Sequence, residues 1–229
     1  MEDNFSSNIN SDSQNNNDNL VIFNQKYKAN LTLESNIINV SLMNLGNDGL
    51  ILLSEIPFNN SSNIININLS KNNISDISPL LKLNLENVIE LNLSINRIEN
   101  IDIFEKLNLL HLETLNLTNN KIIDIKPLSK ANLLSLHNLY LGTNKIKDIS
   151  ILEFMNCPNL EKIDLYQNEI RDITVFERIN FPQLRDISFA DNYFDHELIK
   201  NYDIISNLRK IGCNVAIWGT VKQVLSDSI

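Results

Sequence analysis

The sequence is poor in the residues on which several common classes of site depend. Its 2 cysteines in 229 residues are too few for a disulfide framework. Its 5 glycines form no loop that could cradle a phosphate. Its 3 histidines are scattered, none lies near a serine or cysteine in a nucleophile motif, and no cluster has zinc-ligand spacing. The sequence therefore predicts a protein that is not an enzyme and that holds no cofactor or metal.

Long apolar runs and an excess of positive charge are also lacking. The first residues have neither the basic start nor the apolar run of a secretory signal, and no later run is long enough to span a membrane. A net charge of -9 disfavours general binding to nucleic acid or to an anionic membrane, since both need a basic surface. We expect a cytoplasmic protein, with the nucleus as a second compartment, and neither kind of partner.

What the chain does contain is one pattern that recurs every 24 residues. The pattern is complete in LETLNLTNNKIIDIKPL, residues 112–128. Steps of 24 residues from Asn120 reach further asparagines, and Asp48 takes the place in one earlier, looser copy. Self-similarity at a fixed period indicates stacked structural units. The other members of this asparagine column are Asn72, Asn96, Asn144, Asn168 and Asn192.

Seven copies of the pattern are predicted within residues 40–194. They begin at Val40, Ile64, Val88, Leu112, Leu136, Leu160 and Leu184. The first, fourth and sixth positions are apolar, and one outward residue separates the fourth from the sixth, which is typical of a short strand with one buried face. A second apolar set, such as Ile98, Ile101 and Phe104, is expected to cover the core from the opposite side.

Two polar columns are assigned structural roles. The asparagine column is expected at buried bends, where a carboxamide can satisfy both the N–H and the C=O groups of the backbone. A second column consists of Asp76, Asn100, Asp124, Asp148 and Asp172. Stacked carboxylates allow a calcium hypothesis. Capping of a short 3₁₀ or helical turn is the simpler interpretation, because it accounts for Asn100 as well.

The segments outside the copies are predicted as ends of the stack. Residues 1–19, rich in Asn and Ser, are expected to be disordered. Residues 20–39 are expected to be an N-terminal cap, with alternation from Tyr27 to Leu33 that suggests a strand or hairpin. Residues 195–229 are predicted as a C-terminal cap and tail. The cap comprises a helix with Asp195 as its N-cap, which ends at Gly212, and then a strand over residues 213–218. Its expected apolar stripe is Leu198, Tyr202, Ile205, Leu208 and Ile211, with Trp218 as a lid.

These residues resemble the leucine-rich repeat superfamily. The form L-x-x-L-x-L-x-x-N-x-I-x-D-I-x-P-L, seen in residues 112–128 and 64–80, is similar to the subtype found in internalins and in a phosphatase regulatory subunit. Those families use units of about 22 residues. The resemblance implies an α/β solenoid: a right-handed coil with a parallel sheet on its concave face and short 3₁₀ or helical turns on its convex face. It also implies protein binding on the concave face and no catalytic residues.

The resemblance places the third, fifth, seventh and eighth residues of each copy on the concave face, with the tenth at its edge. In the first half these are small amides and hydroxyls. Asn68, Asn92 and Asn116 stand in Asn-Leu-Ser/Thr sequons, and glycans there would cover the face, which favours an intracellular location. From the fifth copy the face carries larger and charged residues. The candidate partner-binding residues are Tyr140, Tyr166, Tyr193, Lys162, Asp164, Asp186, Arg97 and Lys145.

We predict that Tyr140 and Tyr166 anchor a protein partner, because aromatic rings on a rigid sheet supply contact area at low entropic cost. The alternative is that they merely cover neighbouring strands. The favoured function is a monomeric scaffold or regulatory subunit, for example of a phosphatase. A pathogen effector or an internalin-like adhesion or host-interaction protein is the alternative. A recognition module of a ubiquitin ligase is disfavoured, because no helical adaptor motif accompanies the copies.

Overall fold

The computed structural model describes residues 10–58, 64–194 and 199–217 of the chain. Within these ranges eight short strands form one sheet, and they follow one another in chain order. Every neighbouring pair is parallel, and Leu91, for example, lies in register with Leu115 of the next strand. The predicted coil with a parallel sheet is confirmed. The strands are β1 Ile37–Asn39, β2 Asn66–Asn68, β3 Glu90–Asn92, β4 Thr114–Asn116, β5 Asn138–Tyr140, β6 Lys162–Asp164, β7 Asp186–Ser188 and β8 Asn214–Ala216.

Short helices line the side of the coil opposite the sheet. Between β2 and β7 each return segment contains one 3₁₀ helix. Longer α-helices replace it at the two ends: α2, Gly46–Ser54, lies between β1 and β2, and α3, Ile199–Lys210, lies between β7 and β8. A further helix, α1 (Asn10–Tyr27), packs against α2. Of the helices described, none is both long and apolar enough to cross a membrane. The 3₁₀ helices are Ser78–Lys82, Asp102–Glu105, Lys126–Ser129, Ser150–Phe154 and Thr174–Glu177.

The core lies between the sheet and the short helices. The middle residue of each strand points inward, and Leu115 and Leu139 are fully buried there. The second apolar set meets them from the opposite side, and Phe104 is fully buried too. Cys157 belongs to this core as well. Burial raises the pKa of its thiol to about 12, so the group stays protonated and unreactive at neutral pH.

The asparagine column forms the predicted buried ladder. In Asn144 the Nδ2 group donates to the carbonyl oxygens of Leu117 and Leu141 at 3.0 Å and of Gly142 at 3.3 Å. Its Oδ1 accepts the N–H of Ile122 at 3.0 Å. Each side chain thus joins its own bend to the preceding coil. The equivalent amides that repeat this pattern are Asn72, Asn96, Asn120, Asn168 and Asn192.

The first copy has a different frame from the one that the repeat predicts. A copy that begins at Val40 would place its strand at residues 42–44, whereas β1 covers Ile37–Asn39. Met43, whose N–H donates to Asn72 Oδ1, takes the asparagine position, and Asp48 lies in the first turn of α2. Because α2 is longer than a 3₁₀ helix, the spacing here is 29 residues instead of 24.

The predicted strand or hairpin near the N-terminus is wrong. Helix α1 continues to Tyr27, and no strand is described between that residue and β1. Leu20, Phe23 and Tyr27 share a helix face, Phe23 is fully buried, and its ring lies 4.9 Å from that of Tyr27. Leu31, which is part of the alternating pattern in the sequence, is buried in a loop. The Asn24 side-chain amide holds it there, because it donates to the Leu31 carbonyl oxygen and accepts the Leu31 N–H.

Helix α1 also crosses the predicted boundary between a disordered head and a cap at residue 19. The helix begins at Asn10, and residues 1–9 lie outside the described part of the chain. Its buried face rests on α2, where the Tyr27 hydroxyl approaches Gly49 so closely that an added Cβ would lie 2.9 Å from it. The N-terminal cap is therefore helical and lies against the first return helix.

The C-terminal cap contains the predicted helix and strand. Helix α3 buries Ile205 and Leu208, as expected, but Ile204 takes the place predicted for Tyr202, which is 63% exposed. Ile211 is also exposed, because it follows the end of the helix. Strand β8 pairs with β7. The predicted Asp195 cap, Leu198, the Trp218 lid and the tail from Gly219 lie outside the described residues.

Candidate protein-binding face of the sheet

The first and third residues of the strands point away from the core and form the exposed sheet face. From β2 to β7 each strand has the same pattern, a buried residue between two partly exposed ones. Two further residues of each copy continue this face beyond the strand. The second of them takes a left-handed backbone conformation in every copy, as at Ile95 (φ 55°) and Asp191 (φ 57°).

Small amides in the first half of this face have a structural role that the sequence interpretation missed. Asn92 Oδ1 accepts the N–H of Ser94 at 3.0 Å and its hydroxyl at 2.7 Å. Asn116 accepts the N–H of Thr118 at 3.0 Å. Each amide thereby closes the bend at the end of its strand. In the sequence, an asparagine two residues before a serine or threonine indicates this hydrogen bond. Asn39 and Asn68 accept it in the same way.

Tyr140 departs from this amide pattern at the end of β5. It stands where the preceding strands have asparagine, and Gly142 stands where they have serine or threonine. Tyr140 lies in register with Asp164 of β6. The Lys162 ammonium lies 5.2 Å from the centroid of the Tyr140 ring, within the range of a cation–π interaction. The structure thus brings together three of the predicted site residues.

Tyr166 lies in the next copy and is 39% exposed. Its phenol interacts with the Asp191 carboxylate, and this interaction, together with the charges of Asp191 and Asp164, raises the pKa of Tyr166 above its usual value. Asp164 Oδ1 also accepts the Tyr166 N–H at 3.0 Å. Asp186 lies in register with Lys162 and accepts a 2.9 Å hydrogen bond from the side chain of Asn214. We call Tyr140, Lys162, Asp164, Tyr166, Asp186 and Asp191 the tyrosine surface.

The other predicted site residues do not join the tyrosine surface. Tyr193 packs against Arg171, whose guanidinium carbon lies 5.7 Å from the ring centroid. Lys145 directly follows the buried Asn144 and is exposed at the edge of the sheet. Arg97 has the same place after β3, two strands away from β5. These three residues lie along the edge of the sheet.

The charges of the tyrosine surface are not neutralised by ion pairs within the described residues. Three ion pairs connect successive return segments, such as Arg178 with Glu153 at 2.8 Å and Lys130 with Glu105 at 2.9 Å. Two other ion pairs join residues that closely follow the ladder asparagines in the sequence, including Lys121 with Glu99 at 3.5 Å. None of these five ion pairs contains a residue of the tyrosine surface, whose carboxylates instead accept hydrogen bonds, as Asp186 does from Asn214.

The aspartate column accepts a hydrogen bond at the start of each 3₁₀ helix, as predicted, but it lies one residue before the N-cap position, which is an isoleucine such as Ile173. Asp172 Oδ1 accepts the N–H of Thr174, the first residue of its 3₁₀ helix, at 2.7 Å. The same bond is formed by Asp76, Asn100, Asp124 and Asp148. The calcium hypothesis gains no support, since the residues that the structure describes contain no group of three metal-ligating side chains that could hold an ion.

Asp172→Ala is expected to destabilise the protein by roughly 1 kcal/mol at neutral pH, the usual value of a capping bond. The N–H and then the hydroxyl of Thr174 lower the pKa of Asp172 in the folded protein. A lowered folded pKa stabilises above the unfolded value of about 4, and this contribution is lost as the pH falls. The difference between variant and parent should therefore shrink in urea titrations from pH 7 to pH 3. Asp203→Ala, on the exposed side of α3, is the control, and a pH-independent difference for Asp172→Ala would contradict the assignment.

Comparison with known proteins agrees with this architecture. Residues 110–170 match a family model described as leucine rich repeat, and residues 86–130 match one for two copies of leucine rich repeats. Neither describes an enzyme. No curated protein matches the chain significantly.

Two solved structures from Listeria monocytogenes are similar to the chain. An internalin, inlF, has a TM-score of 0.58 and 25% identity over 77% of this chain and 47% of its own length. Internalin C2 has a TM-score of 0.51 and 22% identity, over 87% of this chain and 91% of its own. The chain thus spans about half of the first neighbour. The likeness to the second shows the fold alone.

Proposed function

This chain is a leucine-rich repeat protein, and from that premise we propose that it is a non-enzymatic scaffold or regulatory subunit that binds a protein on its concave face. The concave face is the exposed sheet face, and the binding site is the tyrosine surface. The observation that carries the proposal is Tyr166, a large aromatic side chain that stays 39% exposed on a rigid sheet. Leucine-rich repeats generally bind proteins, and aromatic residues often dominate such interfaces.

The local structure supports binding over a purely structural role for the two tyrosines. Asparagine and serine close the bend at the same positions in preceding copies, so the fold has no need of an aromatic ring there. Tyr140 holds Lys162 over its ring, which accounts for part of its surface. Tyr166 contacts carboxylates and remains exposed, as expected of a residue that awaits a partner. We place the protein in the cytoplasm or nucleus, as a monomer.

A second candidate is a pathogen effector or an adhesion or host-interaction protein. The observation in its favour is that the similar solved structures are internalins of a bacterium. Both candidates use the same concave face, so alanine variants do not separate them. Fractionation of the native host does: a scaffold stays with host cytoplasm or nuclei, whereas an effector or adhesin appears outside the producing cell.

Replacement of both Tyr140 and Tyr166 by alanine is expected to reduce partner recovery at least tenfold. Interface tyrosines often contribute more than 1 kcal/mol each, and 1.4 kcal/mol corresponds to tenfold in affinity. The measurement is affinity purification from the native host followed by mass spectrometry, with unchanged circular dichroism and melting temperature. Tyr202→Ala is the matched control, because Tyr202 is 63% exposed on α3, away from the sheet. Undiminished recovery by the double variant would contradict the proposed function.

A further inference from the structure

A row of cations follows the carboxyl ends of strands β2 to β5. Beyond each strand the chain passes a residue in the left-handed conformation, a ladder asparagine and then one exposed residue at the edge of the sheet. In these four copies the left-handed and edge positions together hold four cations and no carboxylate. After β6 and β7 the same positions hold Glu169 and Asp191 and no cation. We call the four cations the cationic edge: Lys71, Arg97, Lys121 and Lys145.

The backbone stacks three of these cations at the same place in successive coils. The Lys121 N–H donates to the carbonyl oxygen of Ile98, the residue after Arg97, at 2.9 Å. The Lys145 N–H donates to the Ile122 carbonyl oxygen at the same distance. Neighbouring cations in this column therefore start from backbone positions about 5 Å apart. Like charges on directly neighbouring strands repel each other, so the column costs the folded chain stability.

The return segments on the other side of the coil arrange their charges in the opposite way. There Lys82, Lys130 and Arg178 each pair with a glutamate of the preceding coil at 2.8 to 3.2 Å. In the cationic edge, Lys121 pairs with Glu99 at 3.5 Å, and such an exposed pair contributes little. The other three cations of the edge take part in no ion pair among the described residues. An anionic ligand would relieve their repulsion.

Exposed isoleucines accompany the cationic edge. Ile95, which is 42% exposed, lies two residues before Arg97, and Ile123, which is 56% exposed, lies two residues after Lys121. Ile95 also takes the left-handed conformation (φ 55°), which β-branched residues rarely adopt. The fold does not require isoleucine there, because Asn119 has the same conformation in the next copy. The edge therefore offers apolar contact area beside its positive charge.

We propose that the cationic edge binds an acidic segment of a protein partner, and that an apolar side chain of this segment packs on Ile95. Carboxylates of the segment neutralise the stacked cations, which the chain itself leaves largely unpaired. Glu169 and Asp191 repel the segment beyond β5, so it is confined to the coils of β2 to β5. A plain polyanion such as nucleic acid would neutralise the cations and leave Ile95 exposed. The cationic edge contains no residue of the tyrosine surface, so this inference goes beyond the proposed function.

Two triple variants with the same change of charge provide the test. Each replaces two lysines and one arginine by glutamine, one on the cationic edge and the other on the return segments. Ile95→Asn tests the apolar contact and introduces the residue that Asn119 supplies in the same conformation. Unchanged circular dichroism is required of all three. The edge variant is Arg97→Gln/Lys121→Gln/Lys145→Gln, and the control variant is Lys82→Gln/Lys130→Gln/Arg178→Gln.

The probe is a displayed library of random peptides, selected on the immobilised full chain. We expect one class of selected peptides to be rich in aspartate and glutamate, to contain an apolar residue, and to bind Tyr140→Ala/Tyr166→Ala like the parent. The edge variant should weaken these peptides about tenfold or more and reduce the salt dependence of binding. The control variant should bind them like the parent. Ile95→Asn should weaken them about fivefold, as expected for loss of one apolar contact.

Four outcomes would overturn the inference. One is a selection without acidic peptides that depend on the cationic edge. Equal weakening by the edge and control variants would show a general attraction by charge. A labelled oligothymidylate strand that displaces the peptides and loses affinity only in the edge variant would identify a nucleic-acid surface instead. Loss of the acidic peptides in the tyrosine variant would show one continuous site. The proposed function fails separately, when partner recovery survives removal of both tyrosines.

Discussion

Asn144→Asp is expected to lower the free energy of unfolding by at least about 3 kcal/mol. The side chain keeps its size, but its Nδ2 donor becomes a carboxylate oxygen. That oxygen would face the carbonyls of Leu117, Leu141 and Gly142, which now receive hydrogen bonds at 3.0 to 3.3 Å. A buried charge would then be opposed by three acceptors, with the Ile122 N–H as the one donor that Asn144 has in the structure. Because Asn144 joins two coils in the middle of the stack, both are affected.

The measurement is urea unfolding followed by circular dichroism. Asn132→Asp is the control, since Asn132 lies outside the asparagine ladder and is exposed, so the same chemical change there should alter stability by less than about 0.5 kcal/mol. Asn144→Ala should lie between the two, because it leaves the carbonyls unsatisfied but adds no charge. Equal unfolding midpoints for the Asn144 and Asn132 variants would show that the ladder does not hold the coils together.

The repeated part of the fold could be predicted from the sequence because each residue class has one physical role. Apolar residues of the strand and of the return segment must meet in one core. Asn120 and its equivalents must satisfy buried bends, and the structure confirms both roles. The hydrogen bond predicted for Asp172 and its equivalents at the start of the short helices is also confirmed, because a side-chain acceptor there has a ready donor in the backbone, although Ile173 and not Asp172 is the N-cap residue.

The ends of the stack could not be predicted in the same way. A repeat frame assumes equal spacing, and α2 breaks that spacing because a nine-residue helix replaces a short 3₁₀ turn. The polar sequence of α1 has few apolar residues to reveal its helical period. Among the side chains of α1 that the structure describes, Leu20, Phe23 and Tyr27 make the packing face, and the alternation that follows them resembles that of a strand.

Within the candidate site, sequence position predicts which residues share a face but not which of them interact. Tyr140 and Lys162 lie on neighbouring strands, as predicted, but the register pairs Tyr140 with Asp164, and the Lys162 side chain reaches the Tyr140 ring diagonally. The contact between Arg171 and the Tyr193 ring depends on the directions of two side chains outside the strands, and the spacing of residues in the sequence does not determine those directions. The role of Asn92 in closing its bend escapes the sequence interpretation, because an exposed amide in a binding family is first interpreted as a contact residue.

Phe189→Ala is expected to lower the free energy of unfolding by about 3–5 kcal/mol, the range for a fully buried phenylalanine. Phe189 is 1% exposed, and its ring makes edge contacts with Phe176 at 4.9 Å and Phe194 at 5.7 Å. This aromatic cluster joins the last 3₁₀ helix to β7, and the Phe189 N–H donates to Ala216 of β8 at 2.8 Å. Loss of the ring should therefore loosen the C-terminal cap before the rest of the coil.

Phe189→Leu separates this effect from a general loss of core volume. Leucine occupies the same position in preceding copies, at Leu69, Leu93, Leu117, Leu141 and Leu165. It should cost less than about 1.5 kcal/mol, because a similar apolar side chain can repack. Coils in a solenoid contact mainly their neighbours, so hydrogen exchange in the alanine variant should rise first in β7 and β8 while β3 and β4 stay protected. Uniform exchange along the whole sheet would instead show that the coil unfolds as one unit and that the aromatic cluster has no separate role at its end.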